Sequence, residues 1–376
     1  MSGIIEKINM GIVGFRRGKS FKAAIEASNA RVHAVCDISE DALTAARETF
    51  GKIERYGAYE DMLDVSELDA VMVATPMHLH APQAILALER DLHVFSEVSA
   101  AVSLEQCRDL VAACQRSRAI YFMAENTNYT KHNVLVKTLV ARGFFGTLYF
   151  ADGEYLHELK DGNERTPWRR IWQTGIRGIT YATHQLGPIL NWMAGDRIVR
   201  VCCEGSGSHY VDPRGKPYHD DTSVMLAKTE KGALIKVRVD MISERPSVTC
   251  TYQLQGTKGA YESVRQRGGT HFVWLQDLCD EKETWRDLET LESEYLPDFW
   301  RRSSEEMLKA GHGGSDYHVV QDFLKTITGE RPWCHIGIHE AMDMTLPGLI
   351  SQQSIEAAGE WMDVPDTRAW EQEVSE

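Results

Sequence analysis

The sequence predicts an α/β protein in two parts: a doubly wound parallel sheet over residues 1–127, then an α+β domain over residues 128–376 with a large, mostly antiparallel open sheet. Three observations carry this. Strand-length apolar runs alternate with helical segments up to about residue 127; the first run ends in glycines and passes into a helix; from Thr147 onward, runs rich in strand formers dominate.

The first run, residues 7–13, enters a turn at Gly14, Phe15, Arg16, Arg17 and Gly18, and the spacing of Phe21, Ala24 and Ile25 suits a helix after it. Free N–H groups at a helix start present partial positive charge to a phosphate, and glycine lets the backbone approach it. A full G-x-G-x-x-G from Gly14 would need glycine where Arg16 and Lys19 stand. A tight turn beside a buried strand is the alternative reading of the glycines alone. Counting against it, the next run (residues 32–36) ends at Asp37, the roughly twenty-residue interval of a Rossmann βαβ unit. Its carboxylate suits the ribose hydroxyls of an adenosine and would repel a 2′-phosphate, so NAD is expected over NADP. Arg16 or Arg17 is expected to pair with a phosphate as a charged fork.

Helix is expected over residues 40–50, closed near Gly51, and a buried strand over 70–74. That strand stops at Thr75 and Pro76, with His80 shortly after; ligands of open parallel sheets sit beyond the carboxyl ends of strands, which makes all three cofactor candidates or simply parts of a strand-ending loop. A helix over 82–90, a strand over 93–95 delivering Glu97-Val98-Ser99, a helix over 104–116 and a strand over 120–123 ending at Glu125-Asn126 complete the first part.

In the second part a helix over 130–142 precedes strand-forming runs at 148–155, 198–203, 223–228, 233–241, 248–255 and 272–275, with turns at 230–232 and 256–259. One face of such a sheet is expected against helices and the other free to pair with a second subunit. Residues 317–329 and 339–360 read as helix, the latter kinked or broken at Pro347-Gly348, and 281–294 as a solvated charge run.

At 376 residues with a formal charge of −14, the chain has length for two cores and an acidic surface that argues against nucleic acid or an anionic membrane as main partner. No apolar run approaches the roughly 20 residues of a membrane span, and residues 1–7 lack a leader pattern. Eight cysteines without a CxxC pair read as free thiols of a cytoplasmic protein. His209, His219, Asp220 and Asp221 match no standard metal spacing; a polar surface loop and no metal are expected.

The Gly14–Gly18 turn, Asp37, Ala74-Thr75-Pro76 with His80, and His93-Val94-Phe95-Ser96-Glu97 together resemble the Gfo/Idh/MocA oxidoreductases. That family's dehydrogenases carry Glu-Lys-Pro at this strand end, the lysine relaying the alcohol proton; here Glu97-Val98-Ser99 stands. They also carry an aspartate four residues before a histidine; here the pair is Thr180 and His184. Both departures resemble glycoside hydrolase family 109, as do Ala124-Glu125-Asn126, Gly153-Glu154-Tyr155-Leu156-His157-Glu158, Tyr181-Ala182-Thr183-His184-Gln185-Leu186-Gly187-Pro188 and Gly311-His312-Gly313-Gly314-Ser315-Asp316. Arg16, usually glycine, and Ser99, usually proline, depart from that pattern.

The resemblance implies bound NAD, a carbohydrate or glycoside substrate, assembly through the open sheet, and cleavage by transient oxidation at C3, elimination, water addition and re-reduction. Such chemistry uses proton carriers near neutral pH where ordinary glycosidases use paired carboxylates. His184 is the first candidate, or else a packing residue; Tyr155 and His157, two apart on a strand and so on one side of the sheet, are the next, or else a structural pair. Tyr181 would assist His184 or pack. Glu97 and Asn126 are cofactor candidates, and Glu125, His312 and a lid of Trp168, Arg169 and Trp172 substrate candidates, aromatic packing being the other reading of the tryptophans. A net sugar or cyclitol dehydrogenase is the alternative activity, and an inactive NAD-binding regulator the reading from another class.

Overall fold

The computed structural model describes residues 7–373 except Pro217, Arg267 and Asp280; the first six residues, on which the expected lack of a leader partly rests, lie outside the described residues. The chain forms two compact units. One takes residues up to Thr130, Ser303–Met342 and the segment from Thr367; the other takes Lys131–Arg302 and Asp343–Asp366. The division differs from a single crossing at 127/128, because 303–342 and the final segment return to the first unit.

In the first unit, strands β1 (Ile8–Val13), β2 (Ala30–Cys36), β3 (Glu54–Tyr56), β4 (Ala70–Val73), β5 (His93–Ser96) and β6 (Tyr121–Met123) pair in parallel in the order β3-β2-β1-β4-β5-β6. The strand order reverses beside β1 and β4, where such sheets open a crevice at their carboxyl ends. Strand β4 is buried along its whole length, which is why it reads as a continuous apolar run. Edge strand β3 exposes Glu54 and Arg55 and so gives no apolar run. The helices Glu40–Phe50 and Leu104–Arg116 start where Ser39 and Ser103 accept the N–H groups of Ala42 and Gln106.

The helix Ser315–Ile327 joins this unit through its apolar face. Phe323 is fully buried, its ring 5.4 Å from Phe95 of β5 and 6.0 Å from Phe122 of β6. Each such burial contributes about 1.5–3 kcal/mol. The helical period locates that face; it does not name the strands that cover it.

The second unit is built on a nine-stranded sheet: β7 (Leu148–Leu156), β8 (Ile198–Gly205), β9 (Thr222–Thr229), β10 (Leu234–Asp240), β11 (Thr249–Gly256), β12 (Gly259–Glu262), β13 (Phe272–Leu275), β14 (Arg286–Asp287) and β15 (Met362–Asp363), ordered β14-β13-β12-β11-β7-β10-β9-β8-β15. Among the described residues of this sheet only the β7–β10 pair is parallel. Burial alternates residue by residue along β9 and β10, as expected of a sheet with one covered face. Strand β12 begins at Gly259, in the segment read as a turn.

The helix Thr183–Trp192 packs on β7 and β11, and Gly153 of β7 lets it come close: a Cβ there would lie 2.8 Å from that of Gln185. The helix Ile338–Glu356 runs through Pro347 without ending, contrary to a break there. Burial of Leu346, Leu349 and Ile350 around the proline outweighs the backbone hydrogen bond it removes. All eight cysteines are free thiols. Among the described residues no helix is long and apolar enough to cross a membrane.

Candidate functional site

The second unit gathers the proton carriers. Tyr155 of β7 and His157, one residue past the end of that strand, come together, the Tyr155 hydroxyl 2.8 Å from His157 Nδ1. Tyr181, two residues before the helix Thr183–Trp192, and His184 in its first turn place the Tyr181 hydroxyl 3.0 Å from His184 Nε2. The two pairs form one cluster: the Tyr155 ring centroid lies 5.5 Å from that of Tyr181 and 5.6 Å from that of His184. Tyr252 of β11 donates its hydroxyl to the His184 carbonyl at 2.6 Å, fixing the helix start on the sheet; this support has no motif in the sequence.

Burial, with the nearby charges of Arg169 and His184, lowers the His157 pKa below the ordinary histidine value. At neutral pH the ring is uncharged, and in the tautomer with its proton on Nε2 its Nδ1 lone pair accepts the Tyr155 O–H. A phenol hydrogen-bonded to a neutral imidazole can yield and recover a proton, and the cluster holds a second phenol–imidazole pair in Tyr181 and His184. Thr180, at the position of the dehydrogenases' aspartate, donates its hydroxyl to the Trp172 carbonyl.

The expected lid residues lie in the same unit. The Arg169 guanidinium stacks 4.6 Å from the centre of the Trp168 ring and donates to Gln173 at 2.5 Å; Trp172 is half-buried. The segment is anchored by a residue the motifs did not single out. Arg170, buried, donates to Asp212 at 2.6 Å and to the Asn163 carbonyl at 2.8 Å, and also pairs with Glu164. Burial opposes ionisation of Asp212, yet the hydrogen bonds from Arg214 and Arg170 outweigh it and hold the carboxyl well below the carboxylate range. His209 pairs with Asp221 at 2.8 Å and Asp220 with Arg177 at 3.1 Å. Among the described residues no group of three or more histidine, cysteine, aspartate or glutamate side chains gathers as a metal site.

The first unit brings the strand-end residues together. A four-residue helix, Phe15–Gly18, starts directly after Gly14, so Arg16, Arg17 and Gly18 lie in it; a second helix, Lys22–Glu26, follows where the Phe21, Ala24 and Ile25 spacing places one. Gly14 has φ 92°, and a Cβ on it would stand 2.5 Å from the Ala74 carbonyl oxygen. Asp37 accepts the Phe15 N–H at 2.9 Å on one oxygen and the Ser39 N–H at 3.0 Å on the other. A turn without room for a side chain, next to a carboxylate held by two backbone donors, fits a dinucleotide with a ribose diol, and these are the residues that would hold it. Phe15 turns its ring inward against Phe50, and Gly18 packs on Ile12.

Arg17 departs from the expected phosphate fork. Its Nε donates to Glu97 at 2.5 Å and its Nη1 to Ser20 at 2.6 Å and Asp316 at 2.9 Å, because two partly or fully buried carboxylates require a cation. Arg16 is exposed. Asp316, wholly buried, also accepts the Asn126 amide at 2.7 Å and His312 Nδ1–H at 3.0 Å. Asp316 was not among the expected site residues; the signal for it was its i, i+4 spacing from His312.

Glu125 is fully buried and accepts the Thr127 N–H and hydroxyl on one oxygen, capping its own turn. His80, also buried, lies 2.8 Å from both the Thr75 and the Ser99 carbonyls and ties two strand-end loops together. Thr75 donates to Gln83 at 2.6 Å, and Pro76 leads into the short turn Met77–Leu79.

Comparison with known proteins adds two family matches. Residues 129–372 match the glycosyl hydrolase 109 C-terminal domain, and residues 8–125 match the oxidoreductase family with an NAD-binding Rossmann fold. Among curated relatives, a glycosyl hydrolase family 109 protein of Saccharopolyspora erythraea is 29% identical over 96% of this chain and 83% of its own length. An alpha-N-acetylgalactosaminidase of Shewanella oneidensis is 27% identical over 98% and 87%. Among solved structures, a levoglucosan dehydrogenase in complex with NADH aligns over 96% of this chain and 100% of its own, at TM-score 0.77 and 21% identity. The myo-inositol 2-dehydrogenase from Lactobacillus plantarum aligns over 96% and 100%, at TM-score 0.72 and 17% identity. At these identities the structures establish the fold.

Proposed function

Because this chain belongs to glycosyl hydrolase family 109, an NAD-dependent family of sugar-active enzymes, we propose that it is a glycosidase cleaving by transient oxidation of its sugar at C3. The observation that carries the reading is the cluster of Tyr155, His157, Tyr181 and His184, two phenol–imidazole pairs in one unit, in a chain with valine at position 98. NAD, when bound, supplies the hydride acceptor and returns the hydride, leaving no net oxidation.

His184, steadied by Tyr181, takes the proton of the C3 hydroxyl and later restores it. As the Tyr155 O–H proton passes to neutral His157, the Tyr155 oxygen takes the C2 proton made acidic by the neighbouring ketone, leaving His157 as the imidazolium. The C1–O bond then breaks by elimination, and the leaving oxygen recovers a proton from the same cluster. Water adds at C1, its proton returns to C2, and the products are a free sugar and an alcohol. Trp168, stacked on Arg169, offers an aromatic surface to the C–H face of a pyranose, with Trp172 beside it in the same segment. Asp37 and the Gly14 turn hold the adenosine end of NAD, and Glu97 the nicotinamide ribose.

The protein is taken to act in the cytoplasm, on the evidence of its free thiols. Self-association through the second unit's sheet is supported by the exposed side chains of Tyr149, Val224 and Phe272 on it.

The test is hydrolysis of nitrophenyl glycosides in heavy water, following phenol release and deuterium at C2 together. Release with deuterium at C2 is expected; release without it rejects the elimination route. The second reading, a net sugar or cyclitol dehydrogenase, is favoured by the fold shared with NADH-bound dehydrogenases. It would give accumulating NADH and no phenol.

A further inference from the structure

Arg17, Glu97, Asp316 and His312 form one ion cluster, with Asn126, at the carboxyl ends of β1, β5 and β6. It is assembled from the first turn after Gly14, the end of β5 and the loop that opens the helix Ser315–Ile327. Its charges are two carboxylates, one guanidinium and one imidazole. With His312 protonated they cancel; with His312 neutral the cluster carries one net negative charge.

We propose that His312, oriented by Asp316, sets the charge of the dinucleotide site, so that NAD binds tightly to the protonated cluster and more weakly once that proton is lost. The inference rests on the reading of the Gly14 turn as the NAD site. Its physical basis is that NAD brings an anionic pyrophosphate to the helix turn that carries Arg17, and a net negative cluster on the same turn repels it. Asp316 is a positioning residue: its carboxylate lies 3.0 and 3.1 Å from His312 Nδ1, which fixes Nδ1 as the protonated nitrogen. The Asn126 amide nitrogen lies 3.0 Å from the same Nδ1, two donors sharing one acceptor.

The groups facing His312 are Asp316, Arg17 and Glu97. The hydrogen bond to Asp316 raises the imidazole pKa; burial and Arg17 oppose it, and Glu97 reinforces it. The helix Glu305–Lys309, packed on the same loop, carries Glu305, Glu306 and Lys309, all exposed to solvent. His312 adopts φ 57° ahead of two glycines with positive φ, a conformation asparagine also tolerates, so H312N preserves the loop.

The experiment is titration of the full chain, freed of copurified cofactor, with NAD+ at low salt between pH 6 and pH 9, read by calorimetry with no glycoside present. Wild type is expected to weaken about tenfold across that interval, an effect that added salt reduces. H312N is expected to bind weakly and H312K tightly, neither changing with pH. A wild-type affinity independent of pH, or an unchanged slope in H312N, overturns the proposal. Failure of the wild type to bind NAD+ at any pH instead overturns the reading on which it rests.

Discussion

His157 shows how surroundings decide what a residue can do. The sequence places it two residues from Tyr155; burial and the charges of Arg169 and His184 keep its ring neutral, able to accept a proton. Protonated, it would donate toward the phenol and could not hold the Tyr155 proton. The pH profile of kcat/KM is therefore expected to lose activity on its acid side as pH falls through the depressed His157 pKa, below about 6.5. An acid limb that stays in place in His157→Gln would remove His157 from that role. His184→Ala is expected to lower kcat/KM by at least about a hundredfold with an unchanged melting temperature. Near-normal turnover would remove His184 from catalysis. The four residues were legible as types at a spacing, and Asp316 through its i, i+4 relation to His312, whereas Tyr252 was not, since a supporting phenol carries no motif.

At the scale of elements, the turn between β1 and the helix at Phe15 is the most constrained piece of the first unit. Gly14→Ala puts a side chain at φ 92° and 2.5 Å from a backbone oxygen. The backbone strain alone costs about 1–3 kcal/mol, so a lower urea midpoint and loss of NAD binding are both expected. A variant that binds NAD normally would mean the turn has no such role. In the second unit, the stretch around Trp168 depends on Arg170 for its place. Arg170→Ala leaves buried Asp212 without its 2.6 Å partner and is expected to make residues 160–177 a site of early proteolysis, ahead of global unfolding. Strands β1, β4 and β5 were legible because parallel strands covered on both faces become apolar throughout. Polar edge strand β3 and the short β14 and β15 carry no such signature.

For the whole molecule, the consequence of the chain's path is that the parallel sheet is completed by residues far along the sequence. Phe323→Ala is expected to destabilise the first unit by about 3–5 kcal/mol, measured by urea unfolding. A fragment ending at Thr130 would expose Phe95 and Phe122 and is not expected to fold as a monomer; a cooperative melt of that fragment would contradict this. Acid should destabilise the protein through its buried histidines. Burial lowers the pKa of His80 and His132, and burial followed by Lys325 takes His318 to about 4. Unfolded, these rings bind protons near pH 6.5; folded, they resist. Their stabilising contribution is complete above that value and declines as pH falls toward 4. His312, with its pKa raised, works in the opposite sense, contributing below pH 6.5 and losing that contribution as pH rises through its folded value.

The sequence by itself determined what local chemistry can encode: the alternation that makes a doubly wound sheet, the glycine a crowded turn requires, Asp37 at the end of β2, and the phenols and imidazoles that suit proton transfer. Those depend on neighbours a few residues away, so a period or a spacing reports them. Only the tertiary structure decided that Arg17 answers Glu97 and Asp316, and that residues 303–342 complete the first unit. Each of those outcomes is a choice of partner across long stretches of chain, made by the desolvation of charges and the covering of apolar faces, and no local pattern records which partner is taken.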